Sequence, residues 1–310
     1  MITTKTPSTP AAPLRIPTAS FDPANHWTAE EGREYVAIDG LESLDPFFLG
    51  ITGAGDHWFF CSSHGALSAG RRSPDSALFP YYTVDKIMEN WNCTGPWTAI
   101  VCGDRLWNPF SPSVAPHSPA RRRLLKSPLG DELVFDELHE DLGLRLAYRW
   151  QLSEQFGFVR TATLRNEGHG TQALRLVDGL DNFLPPGVDS RLQLQFSCLA
   201  DAYKISELDC DDRLVIHRLA AGITDQPIPL ESLRATTVWT HGLGEGPTCL
   251  DRTTAEAFLR GQNPDLASSI RARRGAMFLA RELSLDPGES VEWTMVAEVE
   301  QSQVQVARLR

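Results

Sequence analysis

A chain of 310 residues with a formal net charge of −11 is long enough to bury a large core and too acidic for nucleic acid as its main partner, since phosphate backbones select basic surfaces. No stretch approaches the roughly 20 consecutive apolar residues of a membrane span, and the opening MITTKTPSTPAAPLRIPTAS lacks the apolar centre of a signal peptide. Six cysteines without a CxxC pair or zinc-like spacing to histidine read as free thiols, so a reduced, cytoplasmic protein with no metal or other cofactor is expected.

Residues 1–25, with Pro7, Pro10, Pro13, Pro17 and Pro23 among Ser, Thr and Ala, read as a flexible leader, and 26–300 as one domain. Strands are expected at Arg33–Ile38, Phe47–Ile51 and His57–Ser63, and another at Trp97–Cys102. Asn108–Pro119, with four prolines, reads as a loop or extended arm. The basic run Arg121–Arg123 with Lys126 reads as a solvated strand edge, where charge discourages pairing with another chain.

From Leu142 to Leu152 the alternation is unbroken. Leu142, Leu144, Leu146, Tyr148, Trp150 and Leu152 fall on one face, Arg145, Arg149, Gln151 and Ser153 on the other, as in a half-buried strand. Leu133–Leu138 before it, then Phe158–Arg165 and Gln172–Leu180 after it, extend this to a four-strand antiparallel meander. Residues 189–203 carry a helical stripe, Leu192, Phe196, Leu199 and Tyr203, with Asp189 or Ser190 as cap, although Leu192, Leu194 and Phe196 also satisfy a strand. Strands return at Arg213–Leu219 and Arg234–Thr240, and Thr253–Leu259 reads as a short helix. Ala276–Leu285 and Ser290–Val299 flank Asp286-Pro287-Gly288-Glu289 as a terminal hairpin, and 301–310 reads as a polar tail or the start of a linker. The sum is an all-β chain, a large antiparallel two-sheet supersandwich with a few short helices.

Motifs for chemistry are sparse. GxSxG is absent, and Gly242–Gly246 lacks the lysine, strand and helix of a phosphate loop and reads as a turn. The 40 carboxylates fall in turns or on polar strand faces and read as solvated, and no histidine is paired with one by spacing. The exception to this plainness is Asp56–Trp91, where seven aromatic residues surround Arg71, Arg72, Asp75, Asp85 and Lys86. Planar rings beside forked donors and carboxylate acceptors suit a polyhydroxylated ligand, though the same residues could buttress a sheet. Within it His57–Ser63 reads as a core strand, and the loop Gly70–Lys86 is the candidate for contact with a sugar, through Arg71, Arg72, Asp75, Tyr81, Tyr82 and Lys86.

Phe48-Leu49-Gly50, Trp58–Ser63, Gly65–Arg72 and Phe79-Pro80-Tyr81-Tyr82, followed by Thr161–Gly168 and Leu285–Glu289, occur in an order that resembles the N-terminal β-sandwich of cellobiose phosphorylase-like proteins. That domain is a galactose-mutarotase-like supersandwich, and the resemblance covers roughly residues 30–300. In such proteins a helical linker and an α/α barrel holding the catalytic carboxylate follow, while the sandwich helps wall the sugar site and form the dimer. The resemblance therefore implies a non-catalytic sugar-binding or site-walling domain, with a sugar or oligosaccharide, a C-terminal α/α-barrel domain and a second copy as partners. Two other readings stay open: a mutarotase-like epimerase with a His and Glu pair in a cleft on the concave sheet, and a structural dimerisation module.

Overall fold

The structure, a computed structural model, describes residues 27–30, 32–112, 119–223, 233–263 and 265–310; the leader expected at 1–25 lies outside the described residues. Side-chain alternation divides each long strand into two faces, and in Leu144–Ser153 buried and half-buried residues alternate from Leu144 to Trp150 as the sequence predicts. Leu144, Leu146, Tyr148 and Trp150 join Leu133, Phe135, Phe158, Leu164, Trp293 and Met295 in one buried core.

That core lies on one face of an 11-stranded antiparallel sheet. Its strands run, in spatial order, Trp27–Glu30, Arg33–Asp39, Ala120–Lys126, Glu132–His139, Leu144–Ser153, Gly157–Asn166, Ser290–Ser302, Arg234–His241, Leu214–Leu219, Lys204–Asp209 and Ser269–Arg271. Two smaller sheets supply the opposite side of the core. One has the order Thr248–Cys249, Gly275–Leu285, Gln172–Phe183, Gly95–Cys102 and Arg105–Trp107; the other has Phe48–Gly50, His57–Ser62, Leu67–Arg71 and Ala77–Phe79. Leu176, Leu180, Met277 and Leu279 come from the first, Phe59, Leu67 and Phe79 from the second. The all-β, antiparallel expectation holds, with the second layer split into two sheets.

Several local readings are corrected by the pairing. Gln172–Phe183 does not continue the meander but crosses to the five-stranded sheet, between Gly275–Leu285 and Gly95–Cys102. Gly275–Leu285 and Ser290–Ser302 are likewise not hairpin partners: the turn at Asp286–Glu289 carries the chain from one layer to the other. Asn166, fully buried, clamps both crossings. Its Nδ2 donates to the carbonyls of Gly170 and Leu285 at 2.8 and 2.9 Å, and its carbonyl accepts from the Gly288 amide at 2.8 Å.

The basic run is not an edge. Ala120–Lys126 pairs on both sides, with Arg33–Asp39 and Glu132–His139. Arg122 points inward, and its Nε donates to Glu137 at 2.6 Å. Glu137 also accepts from Trp107 Nε1 at 2.7 Å and the Phe110 amide at 2.5 Å, which ties the start of the proline-rich arm to the sheet; 113–118 of that arm lie outside the described residues. The carboxylates are not all solvated either: Asp136, Glu137 and Asp178 are buried, each with cationic partners. The stripe at 189–203 forms two short helices, Ser190–Gln195 and Ser197–Tyr203, broken where Phe196 leaves helical geometry. Arg252–Leu259 is the helix expected at Thr253–Leu259 and packs on the outer side of the five-stranded sheet. Residues 301–310, read as a tail, finish the last strand and form the helix Gln303–Leu309, opened by a capping box between Ser302 and Gln305.

Candidate functional site

The large sheet has a second face, turned away from the core, and strand register places its side chains in rows. Residues directly opposite share a row, strands lie about 4.8 Å apart, and rows two residues apart are separated by about 7 Å. One row holds Ala37, Leu125, Val134, Arg149, Thr161 and Thr294. The next holds Asp39, Arg123, Asp136, Ala147, Thr163 and Glu292, and the one beyond it Arg121, Leu138, Arg145 and Arg165.

Tyr35, Glu132 and Gln151 close the end nearest Leu125. Tyr35 Oη donates to Glu132 Oε2 at 2.6 Å, Gln151 Nε2 donates to Oε1 at 2.6 Å, and the Arg33 guanidinium completes the set. Burial pushes the Glu132 carboxyl up, but the bonds from Tyr35 and Arg33, the Arg33 charge and the bond from Gln151 outweigh it and hold the group below its ordinary value. Tyr35 moves the other way: burial, reinforced by Glu132 and opposed by Arg149, raises its phenol and keeps it a donor.

Between these rows lies a cavity of 110 Å³. Its floor is apolar, from Leu125, Val134 and Ala147, and its walls are polar, from Tyr35, Arg123, Asp136, Arg149, Thr161, Thr163 and Glu292. The walls are held in place. Arg123 Nε and Arg145 Nη1 both donate to Asp136 Oδ2, at 2.6 and 3.0 Å, Arg145 Nε lies 2.8 Å from Glu167, and the hydroxyls of Thr161 and Thr294 are 3.2 Å apart. A second cavity, of 400 Å³, continues along the strands past Arg123 and Asp136, which line both, to Arg121, Leu138 and Arg145. An apolar floor framed by fixed guanidinium, carboxylate and hydroxyl groups can hold a ring that carries hydroxyls.

The residues singled out in the sequence lie elsewhere, on the four-stranded sheet and its loops, and they diverge. Arg71 donates through Nε and Nη2 to Glu298 at 2.9 and 2.6 Å and through Nη1 to Asp56 at 2.8 Å. Arg72, left-handed at φ 59°, turns out toward solvent with its Nε 3.1 Å from Asp56. Asp75 accepts from the Ser190 amide at 2.8 Å, a bond that holds its carboxyl below the usual range, and so pins the loop to the start of the distant helix Ser190–Gln195. Tyr81 stands edge-on to Trp58 at 5.8 Å, and its amide donates to Gln193. Tyr82 is half-buried, its phenol raised by burial, and faces Asn182, Arg274 and Asp201. Lys86 is exposed on the helix Val84–Glu89.

None of these six lines either cavity of the open face. Sequence reasoning did place Arg145, Arg149 and Gln151 on a polar face. It missed Tyr35, Arg123, Asp136, Thr161, Thr163 and Glu292, and in 120–126 and 132–139 parity gave no clean signal, since Leu125, Val134 and Leu138 share the outer face while Arg122 and Glu137 turn inward.

Neither a protein-family profile nor a curated protein matches this chain. Among solved structures it is similar to a polysaccharide lyase at 13% identity and TM-score 0.43, over 84% of this chain and 33% of that one. It is also similar to an aldose epimerase homologue from C. elegans at 9% identity and TM-score 0.41, over 84% of this chain and 100% of that one. A galactose mutarotase-like protein from Lactobacillus casei gives 12% identity and TM-score 0.37, over 82% and 100%. The chain thus spans a third of the lyase and the full length of the other two.

Proposed function

We propose that this chain is a carbohydrate-binding β-sandwich domain of a glycoside phosphorylase- or hydrolase-like protein, taking a sugar on the open face of its large sheet. The observation that carries this is the 110 Å³ cavity, whose apolar floor lies beneath donors and acceptors already fixed by one another. Such preorganisation lowers the ordering cost of gripping a small polar ligand.

Asp136 accepts from both Arg123 and Arg145, and a carboxylate engaged in this way suits binding over cleavage. An epimerase would need a general acid and base at one ring, and the cavity offers carboxylates with no histidine among its described lining residues. In this reading Arg71 and Asp75 brace the Gly70–Lys86 loop, while Arg72, Tyr81, Tyr82 and Lys86 form its outer boundary toward an α/α-barrel domain or a second copy. Six free cysteines fit a reducing compartment such as the cytoplasm, and among the described residues no helix is long and apolar enough to cross a membrane.

Isothermal titration with glucose, galactose and cellobiose tests the reading. Binding is expected in the wild type, with at least tenfold weakening in Arg149→Ala and in Thr163→Val. No heat with any of the three overturns it, and loss of binding in Arg72→Ala/Tyr82→Ala with the cleft variants unaffected moves the site to the loop. Polarimetry of α-glucose equilibration at the buffer rate is expected; a faster rate favours the epimerase.

A further inference from the structure

The two cavities of the open face are neighbours along the strands, and their common wall is the ion pair of Arg123 and Asp136. From this arrangement we infer that the ligand is a neutral linear oligosaccharide of at least two units, one ring in each cavity and the linkage over Arg123–Asp136; the inference rests on the sugar-binding reading above.

The first part of the argument is spacing. The Leu125–Val134 row, the Arg123–Asp136 row and the Arg121–Leu138 row follow one another at about 7 Å, the scale of one pyranose ring with its hydroxyls. The apolar stepping stones repeat with the rows: Val134, packed on the buried Leu125, floors the first cavity, and Leu138 lies in the second. The first cavity is stopped at its far end by the mutually bonded Tyr35, Glu132 and Gln151, whereas the second is the larger of the two, at 400 Å³ against 110 Å³. A chain of sugars therefore has one blocked end, at Tyr35, and extends toward Arg121.

Charge gives the second part. Arg121, Arg123, Arg145 and Arg149 line the two cavities, and so do Asp39, Glu42, Asp136 and Glu292. Arg122 also borders the second cavity, but its guanidinium is spent on Glu137 on the core side. Three of the remaining four face carboxylates: Arg123 and Arg145 share Asp136, and Arg121 lies 3.1 Å from Glu140 and 3.9 Å from Glu42, while Arg149 borders the Tyr35 hydroxyl. With Arg122 set against Glu137, the four other arginines stand against four carboxylates of the lining, so the cleft carries no net positive charge for a uronate or sulfate. It offers alternating donors and acceptors to neutral hydroxyls instead.

Titration of the full chain with glucose, with the glucose disaccharides cellobiose, maltose and laminaribiose, and with digalacturonate tests this. At least one neutral disaccharide is expected to bind about tenfold or more tightly than glucose. Arg121→Ala, which alters the second cavity alone, is expected to weaken that disaccharide about tenfold, toward the affinity of glucose. Arg149→Ala weakens both. Disaccharides no tighter than glucose, or digalacturonate tighter than the neutral ones, overturn this inference and leave the sugar-binding reading in place; absence of binding by every sugar overturns both.

Discussion

Replacing Asp178 by Asn removes one charge from a pair sealed between the layers. Asp178 and Arg160 are both fully buried; Nη1 and Nη2 of Arg160 donate to the carboxylate at 2.7 and 2.9 Å, Thr98 Oγ1 at 2.6 Å and Trp293 Nε1 at 2.6 Å. The four groups come from both layers, and Arg160 also lies 4.5 Å from the centre of the Tyr148 ring. An amide at 178 keeps one acceptor oxygen, so it can serve Thr98 or Trp293 in place but not both, and it leaves the guanidinium unneutralised, which costs about 3–5 kcal/mol, a large share of the roughly 5–15 kcal/mol that holds a domain folded. Arg160→Met alone strands the carboxylate and costs a similar amount. The double variant Arg160→Met/Asp178→Asn has no buried charge left and is expected to be more stable than either single variant. Urea unfolding followed by tryptophan fluorescence and far-UV circular dichroism measures all four proteins. If the two single losses add to within about 0.5 kcal/mol in the double variant, the groups act independently and the reasoning fails.

Acid stability is set in part by His217, which is buried and stacked on Phe183, with Ser206 on Nδ1. Burial, with the Lys204 charge, lowers its pKa to about 3. The unfolded chain then takes up a proton that the folded protein refuses, so the contribution is complete above about pH 6.5 and falls by about 1.4 kcal/mol per unit as the pH drops toward 3; urea midpoints against pH should lose this slope in His217→Asn. Glu132, held below its ordinary value, stabilises the protein above the usual carboxylate range and loses that contribution as the pH falls through its folded value, so Glu132→Gln should flatten the most acidic limb of the same profile. Asn166→Ala leaves the Gly170 and Leu285 carbonyls without their partner and should cost about 2 kcal/mol or more in the same unfolding experiment. Gly179→Ala places a Cβ 2.0 Å from the Met277 carbonyl oxygen in the middle of the five-stranded sheet and should cost about 1–3 kcal/mol; an unchanged midpoint would mean the sheet yields there.

The face of each long strand could be read from the sequence because it is a local property. A strand repeats every two residues, so Leu144, Leu146, Tyr148 and Trp150 had to lie on the side opposite Arg145 and Arg149 wherever the strand went. A breaker was legible for the same reason at Pro287 and Gly288, which force a reversal, whereas the break at Phe196 was not, since Phe196 fits the helical stripe of 189–203. What alternation does not contain is the partner. A turn such as Asp286–Glu289 serves equally to close a hairpin within a sheet and to carry the chain to the other layer, and only the burial of Asn166 and its bonds to both crossings selected the second. The same limit hid the candidate site. Its walls come from positions as far apart as Tyr35 and Glu292, each an unremarkable polar residue on a strand's outer side, and they meet only because six strands pair in one register. The Asp56–Trp91 stretch stood out because its aromatic residues are close in sequence, whereas the cleft is dispersed along the chain. Alternation within the sequence determined the clearest strands and their faces, such as Leu144–Ser153, and not short ones such as Lys204–Asp209; tertiary pairing, a long-range energy shared among strands, decided which faces stand together and what they enclose.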